Sequence, residues 1–179
     1  MYFALPMLLV GNSNTSYVSS LNSAIVGTGN IFSAGRSTAL LAGNSNSVDA
    51  NSSFAAGWDN NIRGATVGAQ AWHSSAIGYS NLVATSYGWA MGNNNEVSGV
   101  RGVAIGSGCR AKRSDSTALG RYNSDMDTDD VLVVGTGTGS STADRQTALQ
   151  VKNDATVVLG NSSSGTVLLA RAQGDISMG

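Results

Sequence analysis

Apolar residues in this chain fall in short clusters that each close on a glycine, and the clusters recur at a fixed interval. Between positions 75 and 120 they read Ser75-Ala76-Ile77-Gly78, Trp89-Ala90-Met91-Gly92, Val103-Ala104-Ile105-Gly106 and Thr117-Ala118-Leu119-Gly120, a step of 14 residues each time. A constant period predicts a stacked architecture in which each repeat meets chiefly its neighbours. Fourteen residues are too few for a helix pair. They suit one solenoid coil of two short strands and two tight turns. Single apolar residues flanked by small or polar ones follow strand patterning, not a 3.6-residue stripe. Upstream, the same signature closes on Gly11, Gly27, Gly43, Gly57 and Gly68, with steps of 16, 16, 14 and 11, then 10 to Gly78. Downstream, Leu132-Val133-Val134-Gly135 follows Gly120 by 15. Residues 7–135 therefore predict about ten coils, a rod of roughly 45–50 Å at ~4.8 Å per stacked strand. Length variation belongs in the turns, because stacked strands must keep register.

A coil lined with Ala, Ser and single aliphatic residues encloses little apolar volume, too little to offset the ordering entropy of one chain. One strand face can fill the coil. The other carries Ile25, Ile77, Ile105 and Leu119 and is expected to pack on a common axis with sister chains. From residue 125 onward the organisation changes. Apolar runs at 131–134, 147–151, 156–159, 166–170 and 175–178 are separated by Gly-, Ser- and Asn-rich turns. The expected division is a β-roll head over 1–124 and a strand-rich shaft over 125–179.

The repeats Ser75-Ala76-Ile77-Gly78-Tyr79-Ser80, Val103-Ala104-Ile105-Gly106-Ser107 and Ser116-Thr117-Ala118-Leu119-Gly120-Arg121 resemble the head domains of trimeric autotransporter adhesins. That resemblance, over residues 20–124, implies a left-handed parallel β-roll, three of which pack into a head that binds host surfaces. The coils around Gly57 and Gly68 depart from the pattern. The segment from Asp144 to Val151 (DRQTALQV), with Val157-Val158-Leu159-Gly160, resembles a strand motif of bacteriophage tail fibres. It implies strands from three chains interleaved into a β-prism. The resulting expectation is an all-β homotrimer: a parallel β-solenoid followed by a short prism-like region.

No heptad stalk or membrane-anchoring barrel follows the repeats, and Met1–Val10 lacks the basic start and small-residue cleavage site of an export leader. These ten residues are also too short to span a bilayer. They read as a first strand or cap, and a phage-like fibre tip is preferred over a bacterial adhesin head. The expected location is a virion tail fibre or a cell surface.

Charge and composition narrow the chemistry. Ten basic and eleven acidic residues, with charged residues at only 12%, leave no basic cluster for nucleic acid or an anionic membrane. The apolar patterning is too regular for a disordered chain despite abundant Ser, Asn and Thr. His73 is the only histidine and Cys109 the only cysteine, so neither a Cys/His metal set nor an intrachain disulfide is available. Cys109 reads as a buried filler. Asp125, Asp127 and Asp129 alternate like the start of a calcium loop, yet the Gly and Glu that complete such a loop are missing. Gly135–Gly139 (GTGTG) precedes neither a helix nor a lysine, so it is no phosphate cradle. Glu96 is the only glutamate, which leaves a glycan depolymerase the least favoured reading. No enzyme activity and no cofactor are expected.

The strongest functional signal is aromatic placement. Trp58, Tyr79 and Trp89 each directly follow a glycine, and Trp72, His73 and Tyr87 lie in the same middle section. Rings projecting from a solenoid edge can stack on sugar faces or anchor a protein receptor at small entropic cost. Asp59, Asn60, Asn61, Arg63 and Gln70 would orient the ligand, with Arg36, Arg121 and Tyr122 as secondary candidates. The combined expectation is a receptor-binding fibre or adhesin head, with a purely structural fibre segment as the alternative.

Overall fold

The computed structural model describes residues 7–16, 23–33, 39–64 and 71–160. The chain folds as a parallel β-solenoid with almost no helix. An 11-stranded sheet of long strands forms one side, and a 7-stranded sheet of two-residue strands forms the other. Seven coils contribute one strand to each, and the strands from Thr117–Arg121 onward join the long-strand sheet alone. In the most regular part, Ser75–Tyr79 is followed by Leu82–Val83, Trp89–Asn93 by Glu96–Val97, and Val103–Ser107 by Arg110–Ala111. From Met7–Asn12 to Asp130–Thr136, neighbouring long strands pair in parallel with glycine opposite glycine, as Gly78 with Gly92 and Gly92 with Gly106.

Alternation along the long strand puts its second position inside the coil. Ile25, Leu41, Ala55, Ala76, Ala90, Ala104, Ala118 and Val133 are all completely buried in that column. They face Phe32, Val48, Ile62, Val83, Val97 and Ala111 from the short strands, which are buried to the same degree. Coil length and side-chain size vary together. The 16-residue steps that end at Gly27 and Gly43 accompany Ile25, Leu41 and Phe32, whereas the 14-residue steps hold Ala on the long strand with Val or Ala on the short one.

Two left-handed corners recur among the described residues of the coils. One lies two residues past the rung glycine, at Ser45, Asp59, Ser80 and Asn94 (φ +50 to +57°). The other precedes the long strand, at Ser52, His73, Tyr87, Arg101 and Asp115 (φ +51 to +59°). The rung glycine itself is obligatory. Gly78 has φ +118°, and a Cβ there would stand 2.1 Å from the carbonyl oxygen of Gly92.

One residue beyond the first corner stands a buried asparagine. Asn30, Asn46, Asn60, Asn81 and Asn95, all buried, form a continuous ladder with the half-buried Asn14 before them, in which each Nδ2 donates to the Oδ1 of the preceding asparagine at 2.9–3.0 Å. Each also donates to the carbonyl of the rung glycine in the next coil, as Asn81 does to Gly92 at 3.0 Å. Cys109 occupies the next slot. Its backbone N–H donates to Asn95 Oδ1 at 2.9 Å, and its thiol makes only long contacts, to Ile105 O at 3.6 Å and Ser107 O at 4.0 Å.

The solenoid departs from the sequence expectation at two places, the number of rungs and the side on which Ile25 falls. Ser53–Trp58 pairs directly with Ser75–Tyr79, Gly57 opposite Gly78, so no rung lies between them. That coil is 21 residues long, and nine of the ten repeat glycines form the ladder. The Ala65–Gly68 repeat, expected as a separate coil, falls outside the described residues. Ile25 lies inside the coil. Val26, next to the glycine, is the residue that aligns with Ala42, Ala56 and Ile77. The polypeptide from 125 onward continues the same sheet. Asp130–Thr136 pairs in parallel with Thr117–Arg121, and Thr147–Lys152 and Val157–Leu159 then join antiparallel. The runs at 166–170 and 175–178 lie outside the described residues.

Candidate functional site

The outer face of the long-strand sheet carries two apolar columns. The third strand position contributes Val26, Ile77, Met91, Ile105 and Leu119, and the first contributes Leu40, Phe54, Trp89 and Val103, interrupted by Ser75 and Thr117. Ile105 is 38% exposed, and Val26, Leu40 and Met91 are exposed to a similar extent. Of the residues expected on a common core, Ile77, Ile105 and Leu119 lie on this face, whereas Ile25 is sealed inside its own chain.

The candidate aromatics separate onto the two borders of that face. At the end of the strands, Trp58 and Tyr79 share one register position and pack edge to face, ring centroids 5.9 Å apart. At the start, His73 stacks on Tyr87 at 5.4 Å, and Trp72 lies 6.4 Å from His73. Trp89 begins the next strand on the same border. Trp58 is 57% exposed and Tyr87 53%, with Trp72, Tyr79 and Trp89 nearly half exposed.

His73 and Tyr87 sit in the left-handed corner. A side chain with a Cβ pays about 1 kcal/mol or more in that conformation, so glycine would suit the backbone better. The corner stacks through backbone hydrogen bonds, Tyr87 N–H to Trp72 O at 2.6 Å among them. Farther along it, Arg101 and Asp115 form an exposed ion pair. The corner column therefore displays whatever side chain it is given, aromatic in the middle and charged beyond.

The polar neighbours divide. Asp59 is exposed and accepts a hydrogen bond from Ser80 Oγ at 2.8 Å, and Asn61 and Arg63 are also exposed. Asn60 is completely buried in the asparagine ladder and offers nothing to a ligand. Gln70 and Arg36 lie outside the described residues. Arg121 is exposed, while Tyr122 lies against Arg145 with the guanidinium carbon 5.7 Å from its ring centroid.

The acidic junction is occupied by the chain's own cations. Asp125 meets Arg110 at 3.2 Å and Lys112 at 3.3 Å, and Lys152 bridges Asp127 and Asp129 at 3.4 and 3.6 Å. Burial pushes the Asp125 pKa up, but hydrogen bonds from Lys112 and Arg110 outweigh it and hold the carboxyl below its ordinary value. Hydrogen bonding to Asp127 raises that of Lys152. Among the described residues no three His, Cys, Asp or Glu side chains converge as a metal site would require. A cleft of about 330 Å³ beside the junction is lined by Ser124, Asp127, Gln150 and Lys152 among others.

Arg145 gave no functional signal in the sequence. It is buried against the last coils, where Nη1 donates to the carbonyls of Gly108 at 2.8 Å and Asn123 at 3.1 Å, and Nε to Ser140 O at 3.2 Å. Burial, with Arg110 nearby, lowers its pKa. Its work is to satisfy carbonyls at the end of the solenoid. Among the described residues no helix is long and apolar enough to cross a membrane. No protein-family model, no curated protein and no solved structure matches this chain.

Proposed function

We propose that this chain is the non-enzymatic, homotrimeric receptor-binding head of a fibre, of phage-like tail-fibre type, which attaches to a cell-surface glycan or protein. One observation carries the reading. The long-strand sheet leaves two apolar columns uncovered along its outer face, and exposed aromatic rings flank that face on both borders. A face of this extent suits burial against copies of itself, because contiguous apolar surface on a monomer marks an interaction site. The flanking rings offer large, stiff contact area of the kind that dominates binding energy.

Native mass spectrometry of the purified chain is expected to give three copies, and the trimer to bind immobilised cell-surface oligosaccharides or receptor proteins. Replacing the border residues Trp58 and Trp72 with Ala should weaken that binding and leave the trimer mass unchanged, whereas Trp89, which also stands in the apolar column, is expected to affect both. A compact monomer sinks the reading. A bacterial adhesin head would share the same assembly and differ in what it binds. A purely structural fibre segment would form the same trimer and bind neither oligosaccharide nor receptor protein.

A further inference from the structure

The two aromatic borders are too far apart in one chain to act together. The strand Ser75–Tyr79 separates them, and five residues at ~3.3 Å each place its ends about 13 Å apart, wider than one sugar ring. The apolar face lies between. Trp58 and Tyr79 end the strands, and Trp72, His73 and Tyr87 precede them.

Cyclic packing changes this. When long-strand sheets face a common axis parallel to the stacking direction, every strand runs across its face from one border to the other. Rotation about the axis then sets the end border of each chain beside the start border of the next, whatever the number of copies. The heights agree as well. Tyr79 and the pair Trp72–His73 belong to the same coil, while Trp58 and Tyr87 lie one coil to either side, ~4.8 Å away. Both groups therefore arrive at one level of the seam, opposite each other.

We propose that the ligand is a saccharide chain gripped in this seam, with Trp58 and Tyr79 of one copy forming one wall and Trp72 and Tyr87 of the next forming the other. The inference rests on the homotrimeric reading above. Two aromatic walls match the two apolar faces of a pyranose ring, and the exposed His73 imidazole and Asp59 carboxylate suit the hydroxyls at its rim. The site does not exist in a single chain. The strained display of His73 and Tyr87 acquires a use, since the rings are held out toward a neighbour.

Complementation between two defective chains tests the arrangement. One chain carries Trp58→Ala and Tyr79→Ala, the other Trp72→Ala and Tyr87→Ala. The probe is a panel of immobilised bacterial cell-surface oligosaccharides, read beside the native mass. Each variant alone should form trimers and lose at least tenfold in affinity for the sugar that the unaltered trimer selects. Co-expressed in equal amounts, they should regain about a quarter of the original sites, because a seam is intact only where an unaltered end meets an unaltered start. Trimers that regain none, or either variant binding alone as the unaltered chain does, overturn the shared site and leave the trimer standing. Monomers overturn the trimer as well. An unaltered trimer that binds no sugar on the panel, or binds only protein receptors, overturns the ligand class.

Discussion

Asn81 concentrates the physics of a coil in one side chain. Its amide donates to Asn60 Oδ1, Ile77 O and Gly92 O, and its Oδ1 accepts from the backbone and side-chain nitrogens of Asn95. Asn81→Ala strands these buried groups without removing them, and each stranded group costs about 1–3 kcal/mol. Chemical denaturation should show a loss of at least about 3 kcal/mol, against near-neutrality for the exposed Asn93→Ala. The spacing was legible, since an asparagine stands three residues beyond most rung glycines. Its meaning was not: asparagine-rich turns have a sufficient local explanation in left-handed backbone, and the ladder exists only once coils are stacked. Cys109 was read as a buried filler, and it is completely buried in the ladder's column. Burial pushes its thiol pKa up. The folded state thus holds the proton that the unfolded chain releases, so this contribution is intact below the ordinary thiol value, about 8.5, and is lost as pH rises through the folded one. Alkylation of Cys109 should proceed only at the rate of unfolding. Fast labelling of native protein at pH 8 contradicts that burial.

At the scale of the element, register decides everything. Gly78 opposes Gly92 and Gly57, and its added Cβ would collide with the Gly92 carbonyl. Gly78→Ala should therefore cost more than 4 kcal/mol or abolish soluble expression, whereas Gly29→Ala, whose nearest new contact is 3.7 Å away, should be far milder. Circular dichroism melts of the two variants provide the comparison. The 14-residue period made the strands and their stacking readable before any coordinates. The Ala65–Gly68 cluster has the composition of a rung, and it lies outside the described residues; the described ladder passes directly from Gly57 to Gly78. Ile25 was misplaced. Its cluster holds two β-branched residues before the glycine, and the wider coil accepts the first of them inside. Antiparallel closure by Thr147–Lys152 was equally hidden, because an apolar run carries no sign of its pairing direction.

For the whole molecule, the outer face is where stability and assembly meet. Ile77→Asp with Ile105→Asp alters two partly exposed positions, so a lone chain should tolerate both. Charges placed on a shared axis would be buried and unpaired. Sedimentation should accordingly find the double variant folded but dissociated into single chains, where the unaltered chain sediments as three. A double variant that still trimerises moves the interface elsewhere. The aromatic borders were visible in the sequence as rings beside glycines. Their segregation to opposite ends of the strands was not, since that depends on which side of a corner each residue falls.

Because Gly78, Gly92, Gly106 and Gly120 keep one spacing, the rod behaves as a ruler graduated in whole coils. Excising 93–106 should yield a protein shorter by one graduation, ~4.8 Å by small-angle scattering, with every remaining partner matched. Excising one residue fewer should leave the strands out of step and the product insoluble. Reach is thus a quantity this sequence can adjust only in steps.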